Sequence, residues 1–262
     1  MKYAICQIQL VPGHPEANYQ LIEQWTHTVM SAEQKPDILV LPEMWTTAYT
    51  LPDLQGLAEH RLEITLPFLQ RLAMQYDVHF IGGSVANQKD GGIYNTALVV
   101  SRQGELVYEY DKAHLVPMLN EPAYLQEGKS LARVFELDGI KMGVIICYDL
   151  RFPELARSLA LEGAQVLHIV AEWPEARTSH WQALQVARAI ENQFYVVSSN
   201  VIGSYDGVEF AGCSMVSDPW GDTLAQASQD KEETLLISLN LQQVPKVRED
   251  VPVFKSRRAD LY

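Results

Sequence analysis

The chain has 262 residues, 47% hydrophobic and 20% charged, an ordinary globular composition with ample apolar material for a core. Its 33 acidic against 20 basic side chains leave a formal net charge of −13, which argues against the basic face that a nucleic-acid binder needs. No apolar run is long enough to span a bilayer, and the three scattered cysteines, Cys6, Cys147 and Cys213, form neither a disulfide framework nor a zinc motif.

The opening residues Met1 to Cys6 read directly as a strand, without a charged leader, apolar stretch and cleavage site, and the expected setting is reducing cytoplasm. Residues 2–9 and 37–42 are short apolar runs bounded by proline and are expected as buried strands. Between them Leu21, Ile22, Trp25 and Val29 recur at helical spacing, and Leu62, Leu66, Leu69, Leu72 and Tyr76 mark a second helix. Strand-like runs follow at 78–86, 93–101 and 105–110, the last two joined by a turn at Arg102-Gln103-Gly104. A strand over 141–147 ends at Cys147, and a helix opens near Pro153, a residue suited to a first turn. Then come a strand at 165–170, a helix at about 178–192, a strand at 194–200 and a hairpin through Asp218-Pro219-Trp220-Gly221-Asp222. Alternating strands and helices, with no repeat or dividing linker, imply an α/β fold in a single domain over 1–262. Periodicity leaves open whether there is one sheet or two.

Three reactive residues each follow an apolar strand: Glu43 after 37–42, Lys112 after 105–111 and Cys147 after 141–146. In α/β proteins such positions open onto the crevice where ligands bind. Cys147 supplies a nucleophile, although a free thiol, with a pKa of about 8.5, is only slightly ionised near neutrality. Lys112 can favour the thiolate and donate to the oxyanion formed at an attacked carbonyl, a contact typically worth about 2.7–4 kcal/mol. Glu43 can take the thiol proton, pass it to leaving ammonia and then activate water. His114 and His180 are read as structural hydrogen-bonding residues, and Cys6 and Cys213 as buried structural thiols.

The segments Pro42-Glu43-Met44-Trp45, Tyr110-Asp111-Lys112-Ala113-His114-Leu115 and Ile146-Cys147-Tyr148-Asp149-Leu150-Arg151-Phe152-Pro153-Glu154 resemble the three signature blocks of the nitrilase superfamily, in its order and spacing. Trp173-Pro174, His180-Trp181 and the stretch Ala187 to Gln193 resemble its bacterial ω-amidase-like branch, so the similarity runs over essentially the whole chain. The resemblance implies a four-layer αββα sandwich and a Glu43–Lys112–Cys147 catalytic triad. It also implies the Tyr148 backbone N–H as second oxyanion donor and Glu121 as an auxiliary glutamate that positions the lysine and substrate. Neither metal nor organic cofactor is implied. Partners are a small amide and water, with a homodimer or higher homo-oligomer in which a tail over about 245–262 crosses to the partner subunit.

Three positions depart from many relatives: Glu172 in place of Asn, Ala48 in place of Gly and Pro122 in place of His, all expected to line or border the pocket. Arg177 is a candidate to hold a substrate carboxylate bidentately, with Glu172 either orienting it or repelling an anion. The expected activity is hydrolysis of a small linear amide through a cysteine thioester, with the ω-amide of a 2-oxo acid such as 2-oxoglutaramate as the favoured substrate. Carbamoyl-amide and nitrile hydrolysis are open to the same triad, and a non-catalytic binding protein on this fold is a remote alternative.

Overall fold

The computed structural model describes residues 1–261. Two large sheets form the body of the molecule. The first runs in the order Glu233–Ser238, Lys2–Gln7, Ile38–Val40, His79–Lys89, Gly92–Val100, Leu106–Asp111, with Glu59–His60 beside His79–Lys89. The second runs Thr223–Gln226, Met215–Ser217, Tyr195–Asn200, Val166–Ala171, Ile140–Ile146, Phe135–Leu137. Each has a parallel centre of three strands with antiparallel strands on both flanks.

Side-chain alternation along each strand assigns the layers, because successive residues point to opposite faces. Tyr3 and Ile5 pack with Val144 and Ile146 of the other sheet, whereas Ala4 and Cys6 join Ile22, Leu69 and Leu72 of the covering helices. The helices Pro15–Met30 and Thr65–Tyr76 thus cover the first sheet, and Pro153–Leu161 and Thr178–Asn192 cover the second. This is the expected αββα arrangement of two sheets face to face.

The Thr65–Tyr76 helix starts three residues later than its apolar spacing suggests. Arg61 and Leu62 hold left-handed φ angles of 50° and 59°, and the Glu59 carboxylate accepts the Ile64 and Thr65 N–H groups at 2.8 Å each. That side chain satisfies amides that a helix start leaves without partners. The strand Glu233–Ser238, which carries no strong local signal, pairs antiparallel with Lys2–Gln7 along its whole length.

The segment Gln243–Ser256 lies against its own chain. Val244 and Val247 are buried, Arg248 donates to the Ala164 carbonyl at 2.7 Å, and Gln193 donates to the Val251 carbonyl at 2.7 Å. Of the tail expected to cross to a partner, residue 262 lies outside the described residues. No helix among the described residues is long and apolar enough to cross a membrane.

Candidate active site

Each end of the parallel centres delivers one polar side chain to the same point. Glu43 follows Ile38–Val40, Cys147 follows Ile140–Ile146, and Glu172 follows Val166–Ala171. Just past Glu43 the chain turns sharply at Met44, φ 44°, whose N–H is taken by Ser84 Oγ at 3.0 Å. Gly83 makes this approach possible. Its φ is +64°, and a Cβ there would stand 2.1 Å from the Pro42 carbonyl oxygen.

Cys147 opens a tight turn over Cys147–Arg151 with φ 44°, an unfavourable conformation for a residue with a Cβ. Asp149 fastens that turn to the Lys112 segment. Its Oδ2 accepts the Ile146 N–H at 3.2 Å and the Tyr110 hydroxyl at 2.9 Å, while Oδ1 accepts the His114 backbone and Nδ1 at 3.1 and 2.8 Å. His114 also stacks on Phe152 with ring centroids 3.6 Å apart. Both flanks of Lys112 and the cysteine turn are thereby held to one carboxylate.

Beneath the cysteine lies a sealed polar cluster. Lys112 Nζ donates to Glu43 Oε1 at 2.9 Å, to Glu121 Oε1 at 2.8 Å and to the Tyr49 hydroxyl at 3.1 Å, which uses all three of its protons. Glu43 Oε1 also accepts Asn95 Nδ2 at 2.8 Å, and Oε2 accepts the Glu172 backbone N–H at 2.8 Å. Tyr49 in turn donates to Glu121. Glu43, Lys112 and Glu121 have no exposure at all, and Cys147 retains 4%.

Burial alone would lower the Lys112 ammonium, but Glu43 and the Cys147 sulfur outweigh it and hold the group above the ordinary lysine range. Burial, then the negative charge of Glu43, pushes the Cys147 thiol well above its usual range against the opposing pull of Lys112. Lys112 is thus held as a charged ammonium, and Glu43, hydrogen-bonded to the Cys147 thiol, is placed to take its proton. Burial followed by the Glu43 charge also raises Glu121 strongly. Cys6 and Cys213 are raised as well, chiefly by burial, and neither has a lysine among the groups acting on it.

Above the cysteine opens a cavity of about 440 Å³, walled by apolar Val116, Met118, Leu119, Trp173 and Val208. Tyr148, Arg151 and Glu172 supply polar atoms deeper in, with Glu175, Arg177 and Glu209 also lining it. Arg177 is exposed, its Nη1 donates to the Ala176 carbonyl, and its own backbone carbonyl accepts the Trp173 indole N–H at 2.9 Å. Neither Glu172 oxygen has a hydrogen-bond partner, so no Glu172–Arg177 pair forms. Arg151 lies over the Trp173 ring at 4.7 Å, and its buried Nε has no partner. Of the three departures noted in the sequence, only Glu172 lines this cavity. Ala48 is buried in the core under the first sheet's helices with φ 53°, a conformation glycine adopts freely, and Pro122 is exposed.

Sequence reasoning singled out Glu43, Lys112, Cys147 and Glu121, and they meet here. It missed Asn95 and Tyr49, which touch the cluster from a strand interior and a loop, and it passed over Arg151 as a cavity residue. The one available signal for Arg151 was its place four residues after the cysteine, in the turn that must face the crevice. Among the described residues no group of three or more His, Cys, Asp or Glu side chains is arranged to hold a metal ion.

Known proteins resemble the chain over most of its length. A sequence model of the family described as Carbon-nitrogen hydrolase matches residues 2–249. The "Hydrolase in agr operon" of Staphylococcus aureus is 43% identical over 263 residues, and the 2-oxoglutaramate amidase of Bacillus subtilis (strain 168) is 41% identical over 264, each alignment covering 100% of both chains. The crystal structure of Saccharomyces cerevisiae Nit3, from branch 10 of the nitrilase superfamily, superimposes with a TM-score of 0.90 at 28% identity, covering 98% of this chain and 96% of that one.

Proposed function

The chain belongs to the carbon–nitrogen hydrolase family, and on that premise we propose that it is an ω-amidase acting on 2-oxo acid amides through Glu43, Lys112 and Cys147. The observation that carries the chemistry is the sealed contact of Lys112 with Glu43, at 2.9 Å, under a cysteine at the floor of the cavity. Glu43 takes the thiol proton as the sulfur attacks the amide carbon. Charge on the carbonyl oxygen is met by Lys112 and the Tyr148 N–H. Because the three Lys112 protons already have partners, one of those contacts lengthens as the oxyanion forms. The C–N bond then breaks, ammonia leaves with the proton held by Glu43, and a thioester remains on Cys147. Water, deprotonated by Glu43, attacks that thioester; the C–S bond breaks, sulfur recovers its proton and the free acid departs. Glu121 and Tyr49 position Lys112.

The relative named 2-oxoglutaramate amidase supports the substrate class, and Arg151 supplies its physical basis. A guanidinium in an apolar-walled cavity, with a buried N–H lacking an acceptor, suits a substrate carboxylate better than the exposed Arg177. The chain is further proposed to act as one domain over 1–262 and as a cytoplasmic homodimer. Its three free cysteines fit a reducing compartment, and the exposed Leu161 and Ile190 offer apolar surface on the outer helices for a second copy.

The test is ammonia release from 2-oxoglutaramate, pentanamide, a carbamoyl amide and a nitrile, in wild type and two arginine variants. The wild type should prefer 2-oxoglutaramate. Arg151→Met should raise its KM on the order of 30-fold, as expected for a lost charged hydrogen bond, and barely move that of pentanamide. Arg177→Ala should affect both substrates alike and little. A wild-type preference for the neutral amide sinks the substrate assignment and leaves the thioester chemistry standing.

A further inference from the structure

Glu172 is a buried polar side chain of the cavity that the reaction described above does not use. Only 1% of it is exposed, it lines the cavity together with Cys147 and Arg151, and neither carboxyl oxygen has a hydrogen-bond partner among the described residues. Its backbone N–H is bound to Glu43 at 2.8 Å, which fixes the backbone of Glu172 beside the base. A buried carboxylate without a partner is one of the costliest groups a protein can hold, and a site normally neutralises it.

The surroundings decide the charge. From the segment after Ile38–Val40 Glu172 faces Glu43, and from the Lys112 segment it faces Lys112 and Glu121. The cysteine turn contributes Cys147 and Arg151, and the rim carries Glu175, Arg177 and Glu209. In the sealed floor a single ammonium already answers two glutamates. A carboxylate charge on Glu172 would have no hydrogen-bonded cation of its own, and Glu43 beside it would repel it. Burial, then Glu43, accordingly pushes Glu172 well above the usual carboxylate range, with only Lys112 opposing.

We propose that Glu172 is a specificity-determining residue that works as a neutral carboxylic acid, donating its O–H to the oxygen-rich end of an anionic amide held beside Arg151. A 2-oxo acid amide brings keto and carboxylate oxygens, all acceptors, into a cavity whose walls are otherwise mostly apolar. Arg151 answers the charge and Glu172 answers a further oxygen. The donor turns into a repeller when it loses its proton, so the same residue that admits the anion at low pH expels it at high pH. This inference rests on the substrate reading above, and the experiment separates the two.

The measurement is KM for 2-oxoglutaramate and for pentanamide between pH 6 and 9, in wild type, Glu172→Met and Glu172→Gln. In wild type, KM for the anionic amide should rise with pH and KM for pentanamide should stay flat. Glu172→Met should raise KM for 2-oxoglutaramate at least about 20-fold at pH 6, the size of a hydrogen bond to a charged partner, and change that for pentanamide by less than about threefold. Glu172→Gln, which keeps a donor and cannot ionise, should recover most of that loss at pH 6 and abolish the rise with pH. If Glu172→Met does not fold, the pH profile of Glu172→Gln alone carries the test. Two results overturn the proposal while leaving the substrate class intact: a Gln variant whose KM still rises with pH as in wild type, or one that loses the anionic substrate at every pH. A wild type indifferent to the carboxylate overturns the substrate reading itself.

Discussion

The floor and the wall of the active site are built on opposite terms. On the floor, Glu43, Lys112, Glu121, Tyr49 and Asn95 form a network in which every Lys112 proton and both Glu43 oxygens have a protein partner, although Asn95 Oδ1 has none. On the wall, a few ångströms of chain away, Glu172 and Arg151 carry buried polar atoms with none. On the proposed mechanism the floor stands assembled before substrate arrives, and a single Lys112 contact gives way as the oxyanion forms. The groups proposed to recognise substrate are left unsatisfied, and under that proposal their missing partners describe the ligand. An unpartnered donor and a guanidinium call for an anion rich in acceptors.

The largest effects are expected where the floor is broken. Lys112→Arg keeps the charge but replaces a compact ammonium by a wide planar fork that cannot meet Glu43, Glu121 and Tyr49 at once. Glu43→Gln keeps the shape and loses the base. Each should cost at least about a hundredfold in kcat, the size of an oxyanion donor or a general base. Steady-state ammonia release checks both, and retention of a tenth of wild-type kcat by either variant removes that residue from the mechanism.

Tyr49→Phe sharpens the contrast by separating support from chemistry. It strips one Lys112 proton of its acceptor and leaves both carboxylates in place. Stability should fall by about 1–3 kcal/mol, the cost of a buried unsatisfied donor, while kcat drops by less than about fivefold. Thermal melts alongside turnover decide it. A large loss of kcat with unchanged melting would make Tyr49 part of the chemistry instead.

The smallest effect probes the wall in the absence of substrate. Above about pH 4.3 an unfolded chain releases the Glu172 proton that the folded chain keeps. Wild-type stability is therefore drained as pH rises, until folded Glu172 itself ionises. Glu172→Gln has no proton to lose, so its Tm should gain on wild type between pH 4 and pH 8, by at least about 2 °C. Every other group titrates alike in both proteins, and scanning calorimetry at the two pH values isolates the difference. A constant offset between the two melting curves would mean that Glu172 is ionised in the fold and that the wall is not neutral.

Much of the site was legible in the chain because strand ends are local facts. An apolar run closed by Pro42, or one ending at Ile146, states where a strand stops, and the next side chain must leave the sheet. The same rule applied to Val166–Ala171 would have marked Glu172 as strongly as Glu43. The helices and most strands were equally open to reading through periodicity. Tertiary structure alone decided the rest. That the strands divide into two sheets, and that Glu233–Ser238 pairs with the first strand, depends on partners more than two hundred residues apart that leave no local pattern. How deeply each arginine sits in the cavity is a tertiary matter: Arg151, in the cysteine turn, is half-buried against Trp173, whereas Arg177 is exposed at the start of its helix. Asn95 and Tyr49 look like ordinary strand and loop residues until Glu43, Glu121 and Lys112 are folded against them. Sequence specifies which chemistry the chain carries and where each piece leaves its strand; the direction in which a side chain points, and the burial that sets its charge, exist only once the layers pack.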